Sequence, residues 1–193
     1  PFPLVAQKMV AGYPDPVGVP LTSGKTLWFY NTHLEGDDIY ASRIWDGHTW
    51  EAEEVVVNPG SPYSFFNAVA DGDDVHVVHG AGTIYYQKRT WGTGWGNKEM
   101  IADNASGHTS ITRVSRDAVL ITWLDMNNNT VCCREKRRDA WLPPVVWVDA
   151  SSEGLAGAGI NLNTLVESSE PFRNAAVYTT GETAPFNIRC TAI

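Results

Sequence analysis

The chain of 193 residues has only three cysteines, Cys132, Cys133 and Cys190. That is too few for a disulfide framework. Zinc sites draw on CxxC-type spacing with further Cys or His, and no such spacing is present. Adjacent Cys132 and Cys133 point to opposite faces if they lie in a strand, and they read as buried free thiols. An odd count leaves one thiol over for a partner chain in an oxidising compartment. A free cysteine and a flat face together invite a homodimer. Positive charge is scarce too: 14 Lys and Arg against 22 Asp and Glu give a formal net charge of −8. A nucleic-acid backbone would be repelled on average, so no nucleic acid is expected. The one basic run, Arg134-Glu135-Lys136-Arg137-Arg138, reads as a solvated strand end and turn. No apolar run approaches the roughly 18 residues of a membrane span, so no membrane insertion is expected. No N-terminal stretch has signal-peptide character. The chain begins with Pro1 rather than Met, as a processed product or an excised piece would. No helical period stands out; the apolar runs are short and rich in Val, Ile and Tyr.

What is present points to many short strands. Hydrophobic residues make up 43% of the chain and charged residues 19%, which is the composition of a globular domain with a core. Eight Trp, seven Tyr, 17 Gly and 11 Pro fit strands joined by turns. The stretch IYASRIWDGHTW at Ile39 recurs as IYYQKRTWGTGW at Ile84 and, more loosely, as VCCREKRRDAW at Val131. Their last tryptophans, Trp50, Trp95 and Trp141, fall 45 and 46 residues apart. An apolar strand precedes each copy (from Thr26, Asp74 and Ala118) and another follows it (from Glu53, Lys98 and Pro144). A further strand lies upstream, from Val17, Phe65 and Ser110.

Four antiparallel strands in about 45 residues is the repeat of a propeller blade. One blade cannot bury both faces, so blades pack on one another in a ring. A fourth unit begins near Gly159 and lacks its outer strand when the chain stops at Ile193. LVAQKMVAG from Leu4 resembles the outer strand of the other units and can supply it. The expected architecture is all-β: one domain over 1–193, a four-bladed β-propeller with blades at about 13–60, 61–105 and 106–150. The last blade is 151–193 plus 4–12, so that the N-terminal strand closes the ring.

In such a blade the loops from strand four to the next strand one share a face with the loops from strand two to strand three. The ligand-binding candidates on that upper face are Tyr13, Asp15, His33, Glu35, Asp37, Tyr63, His79, His108, Asp125, Asn127 and Glu182. Carboxylates, amides and imidazoles pair with sugar hydroxyls, and aromatic faces stack on sugar rings. His33, His79 and His108 would make a metal site only if they converged. Asp37-Asp38 and the Asp71 to Asp74 run do not match the spacing of a calcium loop, and the latter reads as a hairpin turn. No metal and no cofactor are expected. Trp50, Trp95 and Trp141 read as wedges between neighbouring blades. Asn104-Ala105-Ser106 and Asn128-Asn129-Thr130 are sequons, relevant only in a secreted protein.

The repeated unit resembles those of sialidase-type propellers and of fungal and bacterial propeller lectins. Trp45 to Trp50, WDGHTW, looks like a shortened Asp box, a structural turn in that family. APFNIRC, Ala184 to Cys190, is similar to the strand entry of fucose-binding propeller lectins. Their sugar site uses an Arg, a Glu and an aromatic; here Arg189 fits, and Tyr40 and Tyr85 stand at the aligned place. The resemblance implies a non-catalytic lectin with glycan or glycoprotein partners, bound by top loops or between blades, either secreted or stored in the cytoplasm. Weak quasi-repeated sites would gain by multivalency. Two alternatives stand beside it. One is a protein-binding scaffold of haemopexin-like size, although the cysteine link between first and last blades is absent. The other is a sialidase-type glycosidase, which needs an arginine cluster, a tyrosine nucleophile and an acid–base pair. A paired-carboxylate glycosidase could draw on Glu35, Asp37, Asp125 and Glu182.

Overall fold

The structure is a computed structural model in which residues 16–34, 37–57, 65–105, 109–125, 127–151, 163–166, 174–180 and 187–192 are described. Among them there is no helix, and the strands form four antiparallel sheets. The first sheet runs in order β1 (Val17–Pro20), β2 (Thr26–Leu34), β3 (Asp37–Trp45) and β4 (Glu54–Val57). The second holds β5 (Phe65–Asp71), β6 (Asp74–Thr90), the short β7 (Gly94–Trp95) and β8 (Glu99–Ala105). The third holds β9 (Thr109–Ser115), β10 (Ala118–Asp125), β11 (Thr130–Arg137), the short β12 (Ala140–Trp141) and β13 (Val145–Asp149). The fourth runs β14 (Asn163–Val166), β15 (Asn174–Thr180) and β16 (Asn187–Ala192). No sheet closes on itself among the described residues. The segment 4–12 expected to complete the last blade lies outside them.

The continuous run of β6 is two strands folded back on each other. Seventeen residues in one straight strand would hold Asp74 and Lys88 about 46 Å apart. Instead the Lys88 ammonium lies 2.7 Å from the Asp74 carboxylate, and His76 Nδ1 lies 2.7 Å from the Tyr86 hydroxyl. The reversal sits at Gly80-Ala81-Gly82, where Gly80 and Gly82 take φ of 140° and 80°. A Cβ on Gly80 would collide with the Thr83 carbonyl oxygen, so only glycine fits there. The expected loops are shorter than the sequence reading made them. Pairing runs on to Leu34 with Asp37, so His33 and Asp37 are strand residues. The backbone hydrogen-bond ladder continues as long as two chains remain in register.

The upstream strands of the first three units, expected from Val17, Phe65 and Ser110, line up: β1 lies against β5, β5 against β9, and β9 against β14. The sheets bury their faces on each other. Between the first two lie Val19, Leu27, Phe29, Tyr40, Phe66, Val75 and Val77; between the next two lie Val78, Ile84, Tyr86, Ile111, Ile121 and Trp123. This alternation of β6 residues between two junctions follows from the period of two in a strand. Cys132 and Cys133 are free and buried, and burial pushes the Cys133 thiol up to about 11.

Two of the three repeated tryptophans, Trp95 and Trp141, are wedges, whereas Trp50 packs on Trp45 and Tyr30 of its own sheet. The Trp95 indole N–H donates to Ser42 Oγ at 2.9 Å, across to the first sheet, and its ring meets Phe29 edge-on at 5.8 Å. Trp141 repeats the device one sheet on: its N–H donates to Glu99 at 2.6 Å, and its ring stands edge-on to Tyr86 at 5.1 Å. Two ion pairs repeat beside them, Arg89 with Glu54 and Lys136 with Glu99. Trp141→Phe keeps the ring but removes a donor to a charged acceptor. It is expected to lower stability by about 2 kcal/mol, read as a shift in the urea midpoint.

Candidate functional site: the lower end of the first sheet junction

The turn Trp45 to Trp50 is built by one carboxylate. Asp46 accepts from the backbone N–H groups of Thr49 and His48, at 2.6 and 2.8 Å, and from the Thr49 hydroxyl at 3.0 Å. These bonds hold its carboxyl down at about 2. The Asp71 to Asp74 hairpin works similarly, but outward to its neighbours. Asp71 accepts from Arg113 at 3.0 Å and from the Asp117 N–H at 2.8 Å, and Asp73 accepts from the Ser23 N–H at 2.7 Å. These acidic turns are structural clasps along the lower rim.

Between the lower rims of the first two sheets an open cluster forms. Trp91 leaves the end of β6 with 40% of its surface exposed, its backbone N–H donating to Asp74 at 2.8 Å. The Lys25 ammonium lies 5.4 Å from the centre of its ring and the Arg89 guanidinium 5.8 Å. Lys25 is bonded to Glu51 at 2.6 Å, and both side chains are partly open to solvent. Arg89 is nearly enclosed, its side chain 7% exposed, and holds Glu54 in a two-point pair at 2.7 and 2.8 Å. That pair holds the guanidinium pKa above its ordinary value. The cluster therefore offers an exposed aromatic ring, fixed donors and fixed acceptors, drawn from two sheets. Closer to the inner strands, a cavity of about 270 Å³ lined by Gly18, Val19, Pro20, Ala68, Val69 and Ala70 lies in the same junction.

The sequence-derived candidates fall differently. Tyr13, Asp15, Glu35, Tyr63, His108 and Glu182 lie outside the described residues. His33 and Asp37 sit in the β2–β3 hairpin, where His33 pairs with Asp38 and Asp37 with Leu34. Asp125 caps its own hairpin, accepting from the N–H groups of Asn127 and Asn128 at 3.0 and 3.1 Å and from the Asn128 amide at 2.6 Å; Asn127 is exposed at that tip. His79 is 1% exposed, inside the first junction, edge-on to Tyr40 and stacked on Tyr85. Burial drives its ring down to about 4, only partly offset by the Gln87 side chain. Tyr40 is fully buried. Among the described residues no group of three or more His, Cys, Asp or Glu could hold a metal ion. The reading of the sequence missed Trp91, Arg89, Glu54, Lys25 and Glu51 as a cluster. The one available signal was a second tryptophan, Trp91, in TWGTGW beside the repeated Trp95.

No family of known proteins matches this sequence, and no curated protein matches it. Solved structures do. The α-L-arabinofuranosidase PaAbf62A from Podospora anserina superposes with a TM-score of 0.53 at 13% identity, over 95% of this chain and 64% of that one. The fungal lectin from Aleuria aurantia, a six-bladed β-propeller with a fucose recognition mode, gives 0.59 at 12%, over 88% and 56%. A Hadza microbial sialidase gives 0.60 at 8%, over 91% and 42%. The chain thus spans between two fifths and two thirds of the structures it matches. At these identities the likeness concerns the backbone alone, and it spans a lectin and glycoside hydrolases alike. The chain is an all-β protein with the sheet architecture of the β-propellers.

Proposed function

We propose that this chain is a carbohydrate-binding β-propeller of four blades, a lectin that takes a sugar ring on Trp91 in the cleft between its first two sheets. Residues 4–12 are assigned to the outer edge of the last blade, making 1–193 one domain. The observation that carries the reading is the company of Trp91. An exposed indole beside Lys25 and Glu51, with the Arg89–Glu54 pair behind it, matches the two needs of a sugar: an apolar ring face and paired hydroxyls. An Arg, a Glu and an aromatic are also the residue types of the fucose-binding propeller lectins that the repeats resemble. The upper-rim loops are a second surface for longer glycans.

A broad glycan array with a haemagglutination assay tests this. Selective binding, competed by a free sugar and weakened at least about tenfold by Trp91→Ala, is the expected result. Glycan binding that survives Trp91→Ala unchanged would move the site elsewhere, to the upper rim. Binding to no glycan at all would sink the lectin and favour a protein-binding scaffold. Because hydrolases share the backbone, the array glycans recovered after incubation should be intact; released monosaccharide would make the protein a glycosidase.

A further inference from the structure

We infer that the seam between the first and second sheets is kept shut by an uncharged His79 and opens when that ring takes a proton, releasing a sugar held at Trp91. The release half rests on the carbohydrate reading; the opening does not. His79 projects from β6 into the cluster that also holds Phe29, Tyr40, Phe66, Val75 and Val77. Its ring stands edge-on to Tyr40 at 5.5 Å and lies over Tyr85 at 5.9 Å. Both ring nitrogens and Gln87 Oε1 are buried outside good hydrogen-bond geometry, and Gln87 is the described neighbour that favours a proton on the ring.

Among the described residues, the groups facing this ring supply no counter-ion. From β6 itself come Tyr85, Gln87 and, further down the same face, Arg89, whose charge is taken up by Glu54 of β4. From β3 come the Tyr40 phenol and Ser42, the latter bonded to Trp95 of β7. From β5 comes Phe66, the cross-strand neighbour of His79. Ahead of β8, the Lys98 ammonium lies 4.5 Å from the centre of the Tyr85 ring, and its charge disfavours a second cation. A protonated His79 is therefore a buried cation beside a cation, and its relief is water, reached by parting the sheets. His76, on the opposite face of β6, differs. Its Nδ1 has the Tyr86 hydroxyl at 2.7 Å, and Asp71 and Asp74 offset the repulsion of Lys88 and Lys136. Burial and Lys88 still hold its ring down to about 4, so acid loads both seams and a variant at His79 separates them.

Two indoles report the two seams. The Trp95 N–H bridges the first and the Trp141 N–H bridges the second. Their hydrogen exchange, followed by NMR and corrected for the intrinsic pH dependence, is the test. Between pH 7 and about pH 5 the protection of Trp95 is expected to fall about tenfold or more. His79→Phe, an apolar ring of similar size, is expected to abolish the fall; His79→Gln serves if the first variant does not fold. Unchanged Trp95 protection, or an equal fall at Trp95 in the non-titrating variant, would each overturn the seam; Trp141 is the control, whose behaviour the variant should leave as in the wild type. For release, asialofetuin-coated beads should hold the wild type at pH 7 and shed it at about pH 5, and retain His79→Phe at both. Retention of the wild type at about pH 5 overturns the release step alone. Beads that never bind overturn that step for the glycans asialofetuin carries; the array decides the carbohydrate reading, and Trp95 exchange still decides the seam.

Discussion

Glu54→Ala is expected to cost about 3 kcal/mol of stability, more than the loss of any exposed ion pair among the described residues. The reason is what it leaves behind. Arg89 cannot release its proton at any ordinary pH, and its side chain is 7% exposed in the first seam. One of its nitrogens, Nη1, is already buried without a partner, so Glu54 is the group that makes the charge tolerable. Without Glu54 the guanidinium must rotate out into solvent, away from Trp91, or the seam must admit water. The exposed pair of Arg137 with Glu135, by contrast, should be worth under about 1 kcal/mol. Urea unfolding of both single variants measures the difference. Glu54→Gln, which keeps shape and one acceptor, should lie between. The double variant Glu54→Leu with Arg89→Met should recover part of the loss, because it removes the stranded charge. A cost below about 1 kcal/mol for Glu54→Ala would make the pair an ordinary surface contact and the cleft behind Trp91 more open than described.

The second large effect is acid sensitivity above the range in which carboxylates protonate. His76 and His79 are both buried, and burial lowers each ring from 6.5 to about 4, with Lys88 adding to the effect at His76. The unfolded chain therefore binds more protons than the folded one between those values. Stability is full above pH 6.5 and falls as the pH drops toward 4, by about 3 kcal/mol for each ring. Against the roughly 5–15 kcal/mol that holds a typical domain together, this brings the protein near unfolding at about pH 4. Urea midpoints measured from pH 7 to 4 should show the decline, and His79→Phe should remove about half of it. A flat profile would mean that neither ring is both neutral and buried.

How much of this was legible beforehand differs from element to element. The strands from Thr26, Ala118 and Val131 alternate or run apolar between turn residues, and they formed where expected because that pattern reports burial on a sheet face. The recurrence of Trp50, Trp95 and Trp141 pointed to a wedge, and Trp95 and Trp141 are wedges. The shortened Asp box is a turn for the reason its family resemblance implies, its carboxylate closing the backbone of its own loop. Loops fared worse. His79 reads as a polar residue before Gly80-Ala81-Gly82 and so as a loop residue, yet the strand carries it into the seam.

The sequence by itself determined the local order of this protein: its strand segments, its turns, the period of 45 and 46 residues, and the all-β class. Each of these depends on neighbours within a few positions, where alternation and turn chemistry act. The tertiary structure alone decided which residues face one another across the seams. Arg89 meets Glu54 from 35 positions away, Lys136 meets Glu99 from 37, and Trp95 meets Ser42 from 53. Such pairs are set by how two twisted sheets stack, a property of no single stretch of chain. The Trp91 cleft and the buried His79 both belong to that second kind.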